Sequence, residues 1–324
     1  MTVGRLIDPV VSINWSYGSH LAAVIAAVCL GLLVAASASV MLHRHPGKTA
    51  VANRIEGYVW TWSGMLALLL LASILGRTAI ICAFAALSFQ ALREFFSLIH
   101  TRRADHWALL AAFFVVLPAQ YVLVWFDWYG LFAILLPVYA FLLMPVIPAQ
   151  RGDTTRYMDR VAEVQWGLMI SVYCLSHVPA LLSLDIVGYG GRQTLLIVFL
   201  VVVGMGADHV RSEIAHWGRP HPEAWRPTLA EFAAAAGTGC LLGLLLSPVT
   251  PFPSSVAVGL GLVIALMGLA GRLVLNAIKR DRGISDWKQT GGTADETGGL
   301  LDRLDTLIFA APVFFHLTRF LVTV

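Results

Sequence analysis

Residues 253–278 read PSSVAVGLGLVIALMGLAGRLVLNAI, and residues 279–305, which follow directly, read KRDRGISDWKQTGGTADETGGLLDRLD. The first stretch carries one charge, Arg272, in a run longer than the about 20 helical residues that cross a hydrocarbon layer of about 30 Å. The second is an island of charge and glycine. Long apolar runs alternating with such islands predict a helical membrane protein, because in lipid a backbone must satisfy its own N–H and C=O groups.

The rest of the chain repeats the pattern. Apolar residues make up 58% of the sequence and charged residues 13%, and the mean hydropathy of +0.76 lies far from the soluble range. Apolar runs at 21–42, 58–75, 78–99, 107–126, 130–148, 165–184, 193–207, 229–247, 253–278 and 307–324 predict an all-α, polytopic protein with about ten transmembrane helices. No connection is long enough for a soluble domain and no repeat is visible, so residues 1–324 read as a single membrane domain. Residues 1–20 carry Asp8, Trp15 and His20 rather than an apolar core with a small-residue cleavage site, so no cleavable signal peptide is expected. Cys29, Cys82, Cys174 and Cys240 all fall within apolar runs without paired spacing; they read as small buried residues, with neither disulfide nor zinc implied. Pro118, Pro137 and Pro145 lie inside apolar runs and predict kinks, while Pro248, Pro251 and Pro253 predict a tight turn.

Orientation follows from the basic residues. Of the 22 Lys and Arg, 17 fall in alternate connections, those near 44–54, 93–103, 151–160, 211–226 and 279–303. Lys- and Arg-rich connections stay in the cytoplasm, which predicts an outside N-terminus and places 208–228 and 279–306 together on the cytoplasmic face. Such a face attracts anionic lipid head groups. An unrelated transporter fits less well, since the charges gather on one side rather than lining the spans, and no nucleic-acid partner is expected.

Within the island, Asp281, Asp286, Asp295, Glu296, Asp302 and Asp305 place six carboxylates in 25 residues. Hard oxygen donors of this kind suit Mg²⁺, which takes one or two carboxylates plus substrate phosphates. Lys279, Arg280, Lys288 and Arg303 offer phosphate-binding cations, and Gly298 and Gly299 among other glycines let backbone amides approach an anion. The same composition also suits a solvated loop whose charges only set topology.

Lys279-Arg280, Asp286, Gly298-Gly299 and Asp302-Arg303-x-Asp305, followed by LIFAAPVFFHLTRF, resemble the C-terminal signature of the phosphatidate cytidylyltransferase (CDP-diacylglycerol synthase) family. ALREFFSLIHTRRADH (91–106), WYGLFAILLPVYAFLLMP (128–145) and Ser176-His177 are similar to its bacterial branch. The resemblance spans nearly the whole chain. It implies attack by the phosphate of phosphatidic acid on the α-phosphate of CTP, giving CDP-diacylglycerol and pyrophosphate, at the cytoplasmic side of a bacterial inner membrane. It further implies Mg²⁺ with a second cation, Asp208, Asp286 and Asp302 as metal ligands, Asp286, Asp302 and Asp305 as catalytic carboxylates, and Lys279, Arg280, Arg303, Gly298, Gly299 and Arg272 around the phosphates. A homodimer, or pairing with a related synthase, is implied as well.

The chain departs from this signature at polar positions. Asn276, Ser285 and Thr297 stand where the family carries Ser, Lys and His, and about three extra residues lengthen the loop within 289–296. Arg272 stands where the family has an aspartate. In the second family loop Asp208 matches, but of the following Ser-Pro-x-Lys-Thr-x-Glu only Pro227 and Glu231 have counterparts. Two readings follow: a cytidylyltransferase of weak or altered activity, and a non-catalytic relative that binds anionic lipid or serves as a subunit of an intact synthase.

Charges near a bilayer centre cost about 2.5–3.5 kcal/mol on insertion scales, so each is expected to have a partner or a task. Arg272 is read equally as snorkelling to the interface or as functional, Glu94 as an ion-pair partner of Arg93, His177 and His316 as hydrogen-bonded core histidines, and Arg319 as an interface anchor.

Overall fold

The computed structural model describes residues 76–99, 102–189, 192–218, 227–283 and 299–323, together with scattered positions between 33 and 67. The expected spans at 21–42 and 58–75 lie outside the described residues apart from isolated helical positions. Among the described residues every regular element is helical, and seven helices are long and apolar enough to cross a membrane. They are α1 (Arg77–Ser97), α2 (Arg103–Trp125), α3 (Tyr129–Ala149), α4 (Tyr157–Ser183), α5 (Thr194–Gly218), α7 (Ser254–Asp281) and α8 (Leu300–Thr323). A shorter apolar helix, α6 (Leu229–Leu245), lies between α5 and α7.

Several boundaries differ from the hydropathy reading, three of them at the ends that carry the polar island and Asp208. The expected span 193–207 runs on to Gly218, 253–278 runs on to Asp281, and 307–324 begins at Leu300. Charged residues can continue a helix when other helices supply partners, so apolar content marks the hydrocarbon layer rather than the helix. Asp302 and Asp305 therefore sit in the first turns of α8, not in a loop.

Proline shapes α2, α3 and α4. Wider π-type turns occur at Ala112–Val116, Leu135–Ala140 and Met169–Cys174, next to or containing Pro118, Pro137 and Pro179. Proline lacks an N–H and crowds the preceding turn, and a π-turn absorbs the mismatch. Pro145 ends one helical stretch of α3 and starts the next.

Helices α5–α8 form a bundle in which α6 and α7 make the most intimate contact. Gly239 and Gly243 of α6 face Ala257 and Gly261 of α7 so closely that a Cβ on Gly239 would lie 2.5 Å from the Gly261 carbonyl oxygen. Small residues four apart allow this approach, and in lipid such packing replaces the hydrophobic drive between helices. The end of α4 and part of α1 pack on α8, which joins the first helices to this bundle. The core centres on α5 and α8, with Phe199, Phe314, Phe315, Leu307 and Ile308 almost fully buried. The outer surface is apolar as well: Phe114, Phe126, Phe141, Leu142 and Leu245 are exposed, as expected of helices facing lipid.

Contacts sort the helix ends into two groups. At one end Glu94 meets the start of α8, Arg102 meets Asp153, Arg282 at the end of α7 meets Glu163 of α4 at 2.7 Å, and Asp208 meets Arg272. At the other, Arg77 binds Asp127 and the Val124 carbonyl, and the Tyr189 hydroxyl donates to the Val249 carbonyl at 2.6 Å. The basic connections 93–103, 151–160, 211–226 and 279–303 thus share an end wherever they are described. Arg160 anchors this end, reaching Asp105 at 3.2 Å and Asp153 at 3.0 Å. The Asp153 carboxyl is pulled down to about 2, chiefly by the Thr155 backbone N–H that it accepts, then by the Thr155 side chain, with Arg102 and Arg160 adding to it.

The polar residues of the spans find specific partners. His177 is fully buried, with Nδ1 2.7 Å from the Tyr173 carbonyl oxygen and its ring against Phe132, Phe315 and His316, as a core histidine should be. Arg319 stacks its guanidinium 3.6 Å over the Tyr129 ring. Two expectations are corrected. Glu94 does not serve as a partner for Arg93; its carboxylate turns to the start of α8, whose first N–H groups need an acceptor. Cys82 is exposed rather than buried among the described residues, while Cys174 and Cys240 are half-buried; all three are free thiols.

Candidate functional site

The site is assembled where α5, α6, α7 and α8 meet at the basic end. Asp208 lies on α5, Arg211 one turn further on, Glu231 in the first turn of α6, Arg272 on α7 and Asp305 in the second turn of α8. Gly271 is what lets α8 come this close. A Cβ there would lie 2.6 Å from the Asp305 carbonyl oxygen.

One nitrogen ties three helices together. Arg272 Nη2 donates to Asp208 Oδ2 at 2.6 Å and lies 2.9 Å from Asp305 Oδ2. The other Asp208 oxygen, Oδ1, accepts from Arg211 Nε at 2.9 Å and lies 2.8 Å from its Nη2. Arg211 also reaches Glu231 Oε2 at 3.3 Å. Glu231 in turn closes a capping box with Thr228: its Oε1 accepts from the Thr228 N–H at 3.1 Å, and Thr228 Oγ1 accepts from the Glu231 N–H at 3.3 Å. Asp305 and Glu231 are buried and Asp208 nearly so, which these pairings make tolerable.

A second pairing lies towards the helix ends. Lys279 Nζ donates to Asp302 Oδ1 at 2.6 Å, and the other Asp302 oxygen accepts the Gly299 N–H at 3.2 Å. Asp302 therefore caps its own helix. Glu94 Oε2 completes the cap, accepting from the N–H groups of Leu300 at 2.9 Å and Leu301 at 3.3 Å. Arg280 is exposed and Arg303 half-buried beside these groups. Asp286 and Gly298 lie outside the described residues.

Of the residues singled out from the sequence, Asp208, Arg272 and Asp305 come together in one cluster and Lys279, Asp302 and Gly299 in its neighbour. Arg272 is paired within the helix bundle, as a counter-ion to Asp208 and Asp305. Arg211, Glu231 and Glu94 complete the arrangement although composition did not select them. The spacing Thr228-x-x-Glu231 is a readable capping-box signal, whereas nothing local links Glu94 to α8.

The donor set can be tested against Mg²⁺. Both oxygens of Asp208 and the Oδ2 of Asp305 face guanidinium nitrogens, so the space between these carboxylates already holds a positive charge. A divalent ion there would have to displace the guanidinium, whose Nη2 already sits within hydrogen-bond distance of both carboxylates. Mg²⁺ does not fit between Asp208 and Asp305 as they stand. No group of three or more ligating side chains occurs among the described residues.

The comparisons with known proteins place the chain in a family. The model of the cytidylyltransferase family matches residues 57–211 and 224–321, and so includes Asp208, Arg272, Lys279, Asp302 and Asp305. A protein of Escherichia coli (strain K12) named "Uncharacterized protein YnbB" is 31% identical over 271 residues, 80% of this chain and 86% of the relative. Phosphatidate cytidylyltransferases match locally: that of Aquifex aeolicus is 38% identical over 78 residues, 24% of this chain and 29% of its own length. That of Synechocystis is 37% identical over 65 residues, 20% of this chain and 21% of its own length. With its model matched across most of the chain, this protein belongs to the cytidylyltransferase family.

Proposed function

We propose that the chain acts on a lipid phosphate as a phosphatidate cytidylyltransferase-like protein, joining CTP and phosphatidic acid to give CDP-diacylglycerol and pyrophosphate, with activity well below that of an intact family member. The observation that supports this is the gathering of Asp208, Asp302, Asp305 and Lys279 at one end of the helices, inside the stretch matched by the family model. In this reading the basic end faces the cytoplasm, where CTP is found. A phosphate oxygen of the lipid attacks the α-phosphorus of CTP, and the bond to the bridging oxygen breaks, releasing pyrophosphate.

The residues present serve this chemistry mainly by positioning and charge. Arg280 and Arg303 attract the phosphates, and Lys279 joins them when Asp302 is drawn elsewhere. Any divalent ion that serves the reaction is assigned to Asp302, once Lys279 turns from it to the phosphates, together with Asp286, not to Asp208 and Asp305. Low activity is expected because two acidic groups that would face the phosphates are tied to guanidinium groups, and preorganised electrostatics is the largest source of rate in such reactions.

The test is formation of CDP-diacylglycerol by the purified protein from labelled CTP and phosphatidic acid, with and without Mg²⁺, beside an active family member. Product that falls by about a hundredfold or more in Asp302→Asn supports the reading. A blank from folded protein, with the control active, rejects catalysis. The Arg272 bridge favours the second reading in that event, a non-catalytic relative that holds anionic lipid; retention of phosphatidic acid over phosphatidylcholine in native mass spectrometry would support it.

A further inference from the structure

The geometry points to Arg272 as a built-in cation: its guanidinium takes the place between Asp208 and Asp305 where a divalent ion would otherwise be held, so this pair of carboxylates recruits no metal. The inference deepens the proposed function and rests on it only for the identity of the ligand, a phosphate-bearing lipid or nucleotide. The metal behaviour can be read without either.

Three observations carry it. First, a single nitrogen, Nη2, lies 2.6 Å from Asp208 Oδ2 and 2.9 Å from Asp305 Oδ2, so one positive group bridges carboxylates from two helices as a metal ion would. Second, the bridge is backed. Arg211 holds the remaining oxygen of Asp208 and is itself held by Glu231, which the Thr228 capping box fixes at the start of α6. Swinging Arg272 away would strand the buried Asp305 carboxylate, since Arg211 still reaches Asp208 but is not placed on Asp305. Third, the approach of α7 to α8 at Gly271 leaves no slack in the contact that presents Arg272 to Asp305.

The charge balance agrees. Asp208, Asp305 and Glu231 face two guanidinium groups, which leaves one net negative charge; a divalent ion added to the same cluster would turn it positive. A fixed guanidinium therefore does structurally what a metal does in a carboxylate pair, but it offers no open coordination position to a phosphate oxygen. In this assignment Arg272 is a positioning residue. Phosphate contact is left to Lys279, Arg280 and Arg303, and binding of phosphatidic acid or CTP does not depend on a metal at Asp208.

The test uses Mn²⁺ as a spectroscopic substitute for Mg²⁺ on the full-length protein in detergent. Electron paramagnetic resonance counts bound Mn²⁺ in the wild type, in Asp208→Asn, in Arg272→Asp and in Arg272→Gln. Wild type and Asp208→Asn are expected to bind Mn²⁺ alike, while Arg272→Asp, which puts a third carboxylate at the junction, gains a saturable site at least tenfold tighter. Arg272→Gln keeps the size of the side chain, serves if Arg272→Asp does not fold, and is expected to show a melting temperature raised by Mn²⁺ more than that of the wild type. Saturable Mn²⁺ binding in the wild type that Asp208→Asn abolishes would overturn the inference, as would Arg272 variants that fold but gain no Mn²⁺ response. Retention of phosphatidic acid and of CTP is measured in EDTA on the same samples. Loss of ligand binding with the Mn²⁺ results as expected would count against the proposed function and leave Arg272 as assigned.

Discussion

Arg272 and Asp305 meet across the α7–α8 contact at 2.9 Å, directly beside the point where the Asp305 carbonyl oxygen passes over Gly271. The ion pair and the close backbone approach are one feature. Replacing Gly271 by Ala should push α8 away and break the bridge, since the new methyl would lie 2.6 Å from a backbone oxygen that cannot rotate aside. Overpacking of this kind costs about 1–3 kcal/mol. A lower melting temperature in detergent is expected, with the Mn²⁺ response of Arg272→Gln partly reproduced. An unchanged melting temperature would show that the helices are not so close.

Glu94 of α1 caps α8, 206 residues away in the chain, by accepting the Leu300 N–H. Helix caps contribute about 0.5–2 kcal/mol, so Glu94→Ala should speed hydrogen exchange at Leu300 and Leu301 and increase cleavage near residues 299–303. Glu94→Gln keeps an acceptor oxygen and should lose less than half as much. Equal exchange in all three proteins would assign the cap to another group.

Lys279 and Asp302 are partly buried partners at 2.6 Å. Removing one charge leaves the other poorly solvated, so Lys279→Met alone should destabilise by about 1–3 kcal/mol, between the surface and fully buried cases. Lys279→Met with Asp302→Asn should recover much of that loss, because no unpaired charge is left. A double variant as unstable as the sum of the two single variants would mean that the pair is not coupled.

Asp153 titrates far below its ordinary value of 3.8, at about 2, owing first to the Thr155 N–H. A carboxyl lowered on folding adds stability that is present above its ordinary value and is lost as pH falls through the folded one. The wild type should therefore lose stability between about pH 4 and pH 2. Asp153→Asn should flatten that part of the melting-temperature profile and leave the profile above pH 5 parallel to the wild type. Identical acid slopes would remove Asp153 from the account.

Much of the fold was legible because bilayer crossing is a composition problem. The runs 78–99, 130–148 and 253–278 coincide within a few residues with the helices that begin at Arg77, Tyr129 and Ser254. Helix ends were less legible. Hydropathy stopped short of Asp208 and started late at Leu307, since it registers lipid contact and not the ion pairs that carry a helix past the apolar layer. The site was half legible: Asp208, Lys279, Asp302 and Asp305 stand out as polar residues beside apolar runs, and Thr228-x-x-Glu231 announces its own cap. Arg272 could be recognised as an unusual charge, but its two partners could not be read from its neighbours.

By itself the sequence determined that this chain is a helical membrane protein whose basic connections share one end, and it marked a polar island resembling a cytidylyltransferase signature. These properties are local or periodic, and a linear pattern reports them directly. Only the tertiary structure decided what the charges do. Asp208 and Arg272 are 64 residues apart, and they meet because small residues on α5, α6 and α7 let the helices close on one another. At that distance in sequence, whether a guanidinium snorkels, holds phosphate or neutralises two carboxylates depends on which helix packs beside it, and the packing placed Arg272 between the two aspartates.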